Sequence, residues 1–176
     1  MTKEELSVLW NGKDWRNNIG GVYFVSHKFE KDLHFNFTGY SEEDVNSIPY
    51  YFMKKLATEI NELDKKAHQL IEDKCNDENN EKLELTEVKF DDSYCNDIVA
   101  SGYHVGEAPD DQLYFYLKDD DVSKLELTNV IFDMSGCYKA FALGYYVGES
   151  PAGELYFLVK FDDDFKIDSE LIYEIY

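Results

Sequence analysis

The chain has 176 residues, of which 17 are Lys or Arg and 37 are Asp or Glu, for a formal net charge of −20. That charge repels nucleic-acid phosphates, which attract proteins through clustered Lys and Arg, and it repels anionic membrane surfaces. Direct nucleic-acid and membrane binding are therefore not expected. The hydrophobic fraction of 44% and aromatic fraction of 16% separate the chain from acidic disordered sequences, which are poor in aromatics, and predict a folded core.

No run approaches the roughly 18 apolar residues of a membrane span. Met1-Thr2-Lys3-Glu4-Glu5 lacks a signal-peptide hydrophobic region, so a cytoplasmic location is expected. Cys75, Cys95 and Cys137 make an odd count, which argues against a disulfide framework. Asn36-Phe37-Thr38 matches a glycosylation acceptor, read here as a chance match inside a strand.

In chain order, Glu4 to Trp10 reads as a short helix. Gly20 to Phe29 and Leu33 to Tyr40 read as a hairpin, because Val22, Phe24, Leu33, Phe35 and Phe37 alternate with mostly polar neighbours around a Glu30-Lys31-Asp32 turn. Ser41-Glu42-Glu43-Asp44 resembles a helix start, with acids near the positive end of the dipole. A long helix follows from about Pro49 to Cys75. Its apolar stripe is Phe52, Leu56, Ile60, Leu63, Ala67 and Leu70, at spacings of three and four, with Lys54, Lys55, Lys65 and Lys66 off the stripe. The polar run from Asn76 to Glu81 is the candidate boundary between a 1–80 region and an 81–176 region.

The second region is a tandem duplication. A shift of 42 residues lays 82–121 on 124–163 without a gap, and more than half of the positions are identical. Lys82-Leu83-Glu84-Leu85-Thr86 recurs from Lys124, Gly102-Tyr103 from Gly144, and Leu113-Tyr114-Phe115 from Leu155. Each copy reads as three short strands; the apolar parity of the first changes between Leu85 and Val88, which implies either a bulge there or a strand that starts only at Thr86. Lys166-Ile167-Asp168 carries a faint start of a third copy. Two copies cannot close a propeller ring. The expected fold class is therefore α+β: an N-terminal β-hairpin, one long amphipathic helix, then two three-stranded antiparallel meanders. Together they form one folded unit, an antiparallel sheet with the helix on its face.

The acidity is uneven. Residues 1–80 carry a net charge of −5 and residues 81–176 carry −15. Asp119-Asp120-Asp121 and Asp162-Asp163-Asp164 largely coincide under the shift. They lack the alternation and central Gly of an EF-hand and read as solvated acidic turns; Ca²⁺ binding there is left open. Cys95, Cys137, Cys75 and His104 lack zinc-ligand spacing, so no metal and no cofactor is expected. Gly106-Glu107-x-Pro109-Asp110-Asp111 and Gly148-Glu149-x-Pro151 through Glu154 read as hairpin loops kept through duplication. Their carboxylates are candidate contacts for a basic partner, or a glycosidase-like acid pair if Glu107 and Glu149 approach to about 5 to 10 Å. The candidate partner-binding set is Glu107, Asp110, Asp111, Glu149, Glu154, Asp119, Asp120, Asp121, Asp162 and Asp163, with no catalytic residue assigned. Trp10, Trp15 and the aromatic-rich strands could line a sugar groove but are better explained as core.

In size, acidity, lack of a signal sequence, and mixture of helix with antiparallel sheet, the chain resembles small acidic bacterial toxin-immunity proteins. The resemblance implies a non-enzymatic inhibitor that occludes a basic toxin or nucleic-acid-processing enzyme, steered to it by charge. It carries no motif and transfers no site residue. A structural or adaptor protein, and a carboxylate-dependent hydrolase, are the alternative classes.

Overall fold

The computed structural model describes residues 1–76, 125–150 and 153–175. Thr2 and Glu5 form a capping box that starts helix α1, Lys3–Trp10. Asn11, in the left-handed region at φ 48°, ends it. Strands β1 (Gly12–Asn18), β2 (Gly21–Ser26) and β3 (Leu33–Thr38) follow. A second capping box between Ser41 and Asp44 opens α2, Glu42–Ser47. Helix α3 spans Tyr50–Asn76. Beyond residue 124 come β4 (Leu127–Asp133), β5 (Phe141–Ser150), β6 (Gly153–Phe161) and β7 (Ile167–Ile175).

The seven strands form one sheet in sequence order, so the strands before and after residues 77–124 share a sheet. Every pairing is antiparallel except one: β3 lies parallel to β4, with Phe35 against Val130 and Phe37 against Phe132. The sheet is thus mostly antiparallel rather than uniformly so. A parallel neighbour needs a long crossover, and the segment holding α2 and α3 lies between these two strands in the sequence.

One face of the sheet holds the core. Val22, Phe24, Phe35, Phe37, Val130, Phe132, Leu143, Tyr145, Phe157 and Val159 pack there against Leu6 and Trp10 of α1, Val45 of α2, and Met53, Leu56, Ile60, Leu63, Ala67 and Ile71 of α3. The helical stripe is the expected one, turned slightly. Met53 and Ile71 are fully buried, while Phe52 and Leu70 sit half-buried at its margin. Phe52 still meets Phe132, Phe141 and Phe165 edge-on. Trp10 packs on Phe35 and Trp15 stacks on Phe24, so both tryptophans belong to the core layer.

The second copy forms the meander β4–β5–β6. Its register shifts between Leu127 and Asn129, where the parity change implies a bulge or a later strand start. Strand β7 begins at Ile167, beside the faint third-copy signal. The meander expected of the first copy, 82–121, falls outside the described residues.

Two details differ from the sequence reading. The strand β1 escapes it, because Gly12–Asn18 has no apolar alternation and is held to β2 by backbone pairing. The hairpin loop read over Gly148 to Glu154 is shorter than expected: β5 continues to Ser150 and β6 begins at Gly153, with Glu149 paired to Glu154. A register shift between Tyr146 and Gly148 absorbs the glycine and lets the ladder run on. Asp162 lies in the acidic turn after β6, where its carboxylate accepts the backbone N–H groups of Asp164 (3.0 Å) and Lys166 (2.9 Å).

Candidate functional site

Successive strand residues point to opposite faces, so the packing of Phe35 and Phe37 into the core turns His34 and Asn36 to the other face. All three helices pack on the core face. The second face carries polar and aromatic side chains in cross-strand rows, beside a smaller buried apolar cluster of Ile131, Tyr138, Ala142, Tyr156 and Leu158. One row runs Arg16, Tyr23, Asn36, Ile131, Ala142, Lys160; the next runs Val25, His34, Asn129, Gly144, Leu158. Tyr146 and Tyr156 face each other across β5 and β6 with ring centroids 5.6 Å apart.

Two clefts open on this face and share His34 and Asn36. One, of about 490 Å³, is bounded by Asn129, Tyr146, Glu154 and Tyr156. The other, of about 320 Å³, is bounded by Arg16, Asn18 and Tyr23. Together they make a groove across the first six strands.

Hydrogen bonds order its floor. The Asn36 amide donates to Asn129 Oδ1 at 3.3 Å, bridging the parallel strands. Asn129 Nδ2 donates to Thr128 Oγ1, and that hydroxyl donates to the Gly144 carbonyl. Gly144 lets its neighbours close in: a Cβ there would lie 3.0 Å from Asn129 Cβ and 3.2 Å from Leu158 Cδ2. At the rim the Tyr156 hydroxyl donates to Glu154 Oε2 at 2.5 Å. Burial, then this bond and the charge of Glu154, push the Tyr156 phenol up to about 12. Tyr156 therefore stays protonated at neutral pH. The groove offers amide, phenol, imidazole and guanidinium donors beside aromatic rings, which is the chemistry of recognition.

Further along the same face lies an ion cluster. Lys160, 7% exposed, meets Glu170 at 2.5 Å and Asp168 at 3.7 Å, and Lys139 meets Asp168 at 2.6 Å. The Lys139 hydrogen bond leads the causes that hold the Asp168 carboxyl below its ordinary range. The Tyr138 hydroxyl donates to Glu174.

Among the described residues, the candidate acids Glu154, Asp162 and Asp163 lie at opposite ends of β6. Glu154 lies exposed at the groove rim and pairs in register with Glu149. Asp162 and Asp163 follow the far end of β6, about 26 Å away at 3.3 Å per residue. Asp163 is exposed, whereas the Asp162 carboxylate is occupied by its turn. Glu107, Asp110, Asp111, Asp119, Asp120 and Asp121 lie outside the described residues. So does the approach of Glu107 to Glu149. Among the described residues no group of three or more His, Cys, Asp or Glu side chains is placed to hold a metal ion, and no helix is long and apolar enough to cross a membrane. Arg16, Tyr23, His34, Asn36 and Asn129 are the groove residues that sequence reading overlooks. Their signal is the polar half of the same alternation that marks the core strands.

The chain is an α+β protein with helices on one sheet face and a polar, tyrosine-bearing groove on the other. No family model, curated protein or solved structure matches the chain.

Proposed function

We propose that this chain is a non-catalytic, acidic protein-binding protein of the immunity or inhibitor class. It blocks a basic partner, a toxin or nucleic-acid-processing enzyme. The observation that carries the reading is the net charge of −20, combined with how the cations are used. Lys3, Lys31, Lys65, Lys139, Lys160 and Lys166 each pair with a carboxylate of this chain. Lys28 and Lys55 lie over the rings of Trp10 and Phe165. Among the described residues, eight of the 13 basic side chains are thus engaged within the chain, and the surplus acid sets the outward field. Such a field accelerates encounter with a basic surface. The exposure of Glu154 at the groove rim supports the reading.

The test is to purify the full chain from its source cell at low salt, identify a co-purifying basic protein, and measure association by stopped flow. The association rate should fall about tenfold or more from low to high salt, and the partner's activity should be inhibited. A low-salt purification that repeatedly returns no basic protein, or an association rate indifferent to salt, overturns the reading.

A further inference from the structure

We infer that the groove contains a carboxylate-binding subsite centred on Arg16, with Tyr23, Asn36 and His34 completing it. Arg16 is the only arginine in a chain with 37 acidic residues. Yet among the described residues no ion pair or side-chain hydrogen bond engages it. Asp14 borders the same cleft and makes no ion pair with it. The strand is irregular just before this point: the β1–β2 register shifts between Lys13 and Arg16, and Asp14 sits in the left-handed region at φ 54°. A bulge at a sheet edge re-aims the side chains that follow it, and such irregularities concentrate at binding sites. It leaves Arg16 in register with Tyr23, and Tyr23 in register with Asn36.

The donor set matches a planar monoanion. A guanidinium holds a carboxylate through two parallel N–H bonds. The Asn36 amide uses one N–H on Asn129 and has a second to give. The Tyr23 hydroxyl makes no side-chain hydrogen bond among the described residues, and the exposed His34 ring lines the same cleft. The net charge of −20 selects against a phosphate dianion, which the overall field repels about twice as strongly as a monoanion. The carboxylate is that of a free organic acid, or of a chain terminus or acidic side chain. This subsite is independent of the basic partner proposed above; either stands if the other fails.

The unique arginine makes the test direct, because its Nε–H gives one resonance. The ¹⁵N-labelled full chain is titrated with sodium acetate, with sodium chloride at matched ionic strength, and with sodium phosphate. A short peptide with a free C-terminus is compared with its amidated form to separate a chain terminus from other sources. Acetate should shift the Arg16 Nε–H and Asn36 side-chain amide signals saturably, and chloride should not. Phosphate should bind more weakly than acetate. Arg16→Lys should weaken the Asn36 response about tenfold through loss of the paired bonds, with the backbone amide spectrum otherwise preserved. The inference is overturned by an acetate response no different from chloride, by phosphate binding as tightly as acetate, or by an Asn36 response that persists undiminished in Arg16→Lys.

Discussion

Tyr145 is the one core residue of β5 whose hydroxyl must find a partner across the helix–sheet interface. Its side chain is fully buried. The hydroxyl donates to Asp64 Oδ1 of α3 at 2.7 Å, and the His68 ring lies edge-on against its ring at 5.1 Å. Burial, reinforced by the Asp64 charge, raises its pKa far above the ordinary phenol value, so it is a permanent donor. A hydrogen bond to a charged group contributes about 1.5 to 3 kcal/mol. The Asp64 carboxylate is 34% exposed and regains water when the donor is lost, so Tyr145→Phe should cost about 1 to 2 kcal/mol. That corresponds to a fall in Tm of about 2 to 8 °C for a domain of this size. Asp64→Ala strands the hydroxyl instead and should cost at least as much, less about 0.5 kcal/mol returned by the better helix propensity of Ala. The assay is urea denaturation of both single variants and the double variant. A coupling energy of about 1 kcal/mol or more is expected; a value within about 0.3 kcal/mol of zero would refute the role given to this bond.

Three further predictions follow from the geometry. Asp168→Asn should lower stability at neutral pH. Because the folded-state pKa of Asp168 is depressed below its usual 3.8, chiefly by Lys139, its contribution is present above that value and is lost as pH falls through the folded one. The gap between wild type and variant should therefore narrow below about pH 4, and a gap that stays constant down to pH 2 would contradict the pairing. Gly21→Ala should cost about 3 kcal/mol or more, since Gly21 has φ 139° and an added Cβ would lie 2.1 Å from the Phe37 carbonyl oxygen. Circular dichroism melts check this, and a near-native Tm would show that the hairpin relaxes freely. Ser41→Ala removes the cap that accepts the Asp44 N–H at 3.2 Å and should cost about 1 kcal/mol, with Ser41→Asp close to wild type; equal melting of all three would deny the cap its role.

The elements with a strong one-dimensional period are legible in the sequence. Phe35 and Phe37 alternate with polar residues and mark β3; Leu56, Ile60, Leu63 and Ala67 mark the buried side of α3. Ser41 and Asp44 announce a helix start through their own side chains. The parity break near Leu127 marks the register shift found there. Each of these rests on neighbours within a turn or two of chain, where the information is local.

What the tertiary structure decides is the company these elements keep. Nothing in Leu33–Thr38 says that its far edge pairs parallel with β4, about ninety residues on in the sequence. Nothing in Gly12–Asn18 marks a strand, because an edge strand held by backbone bonds needs no apolar pattern. The acidic runs looked alike as letters; folding makes Asp162 a turn former and leaves Glu154 at a groove rim. The polar halves of several alternating strands become one groove only when the sheet brings them side by side. Periodicity along a chain determines which face is apolar, while the opposite face acquires a function from which strands lie next to one another.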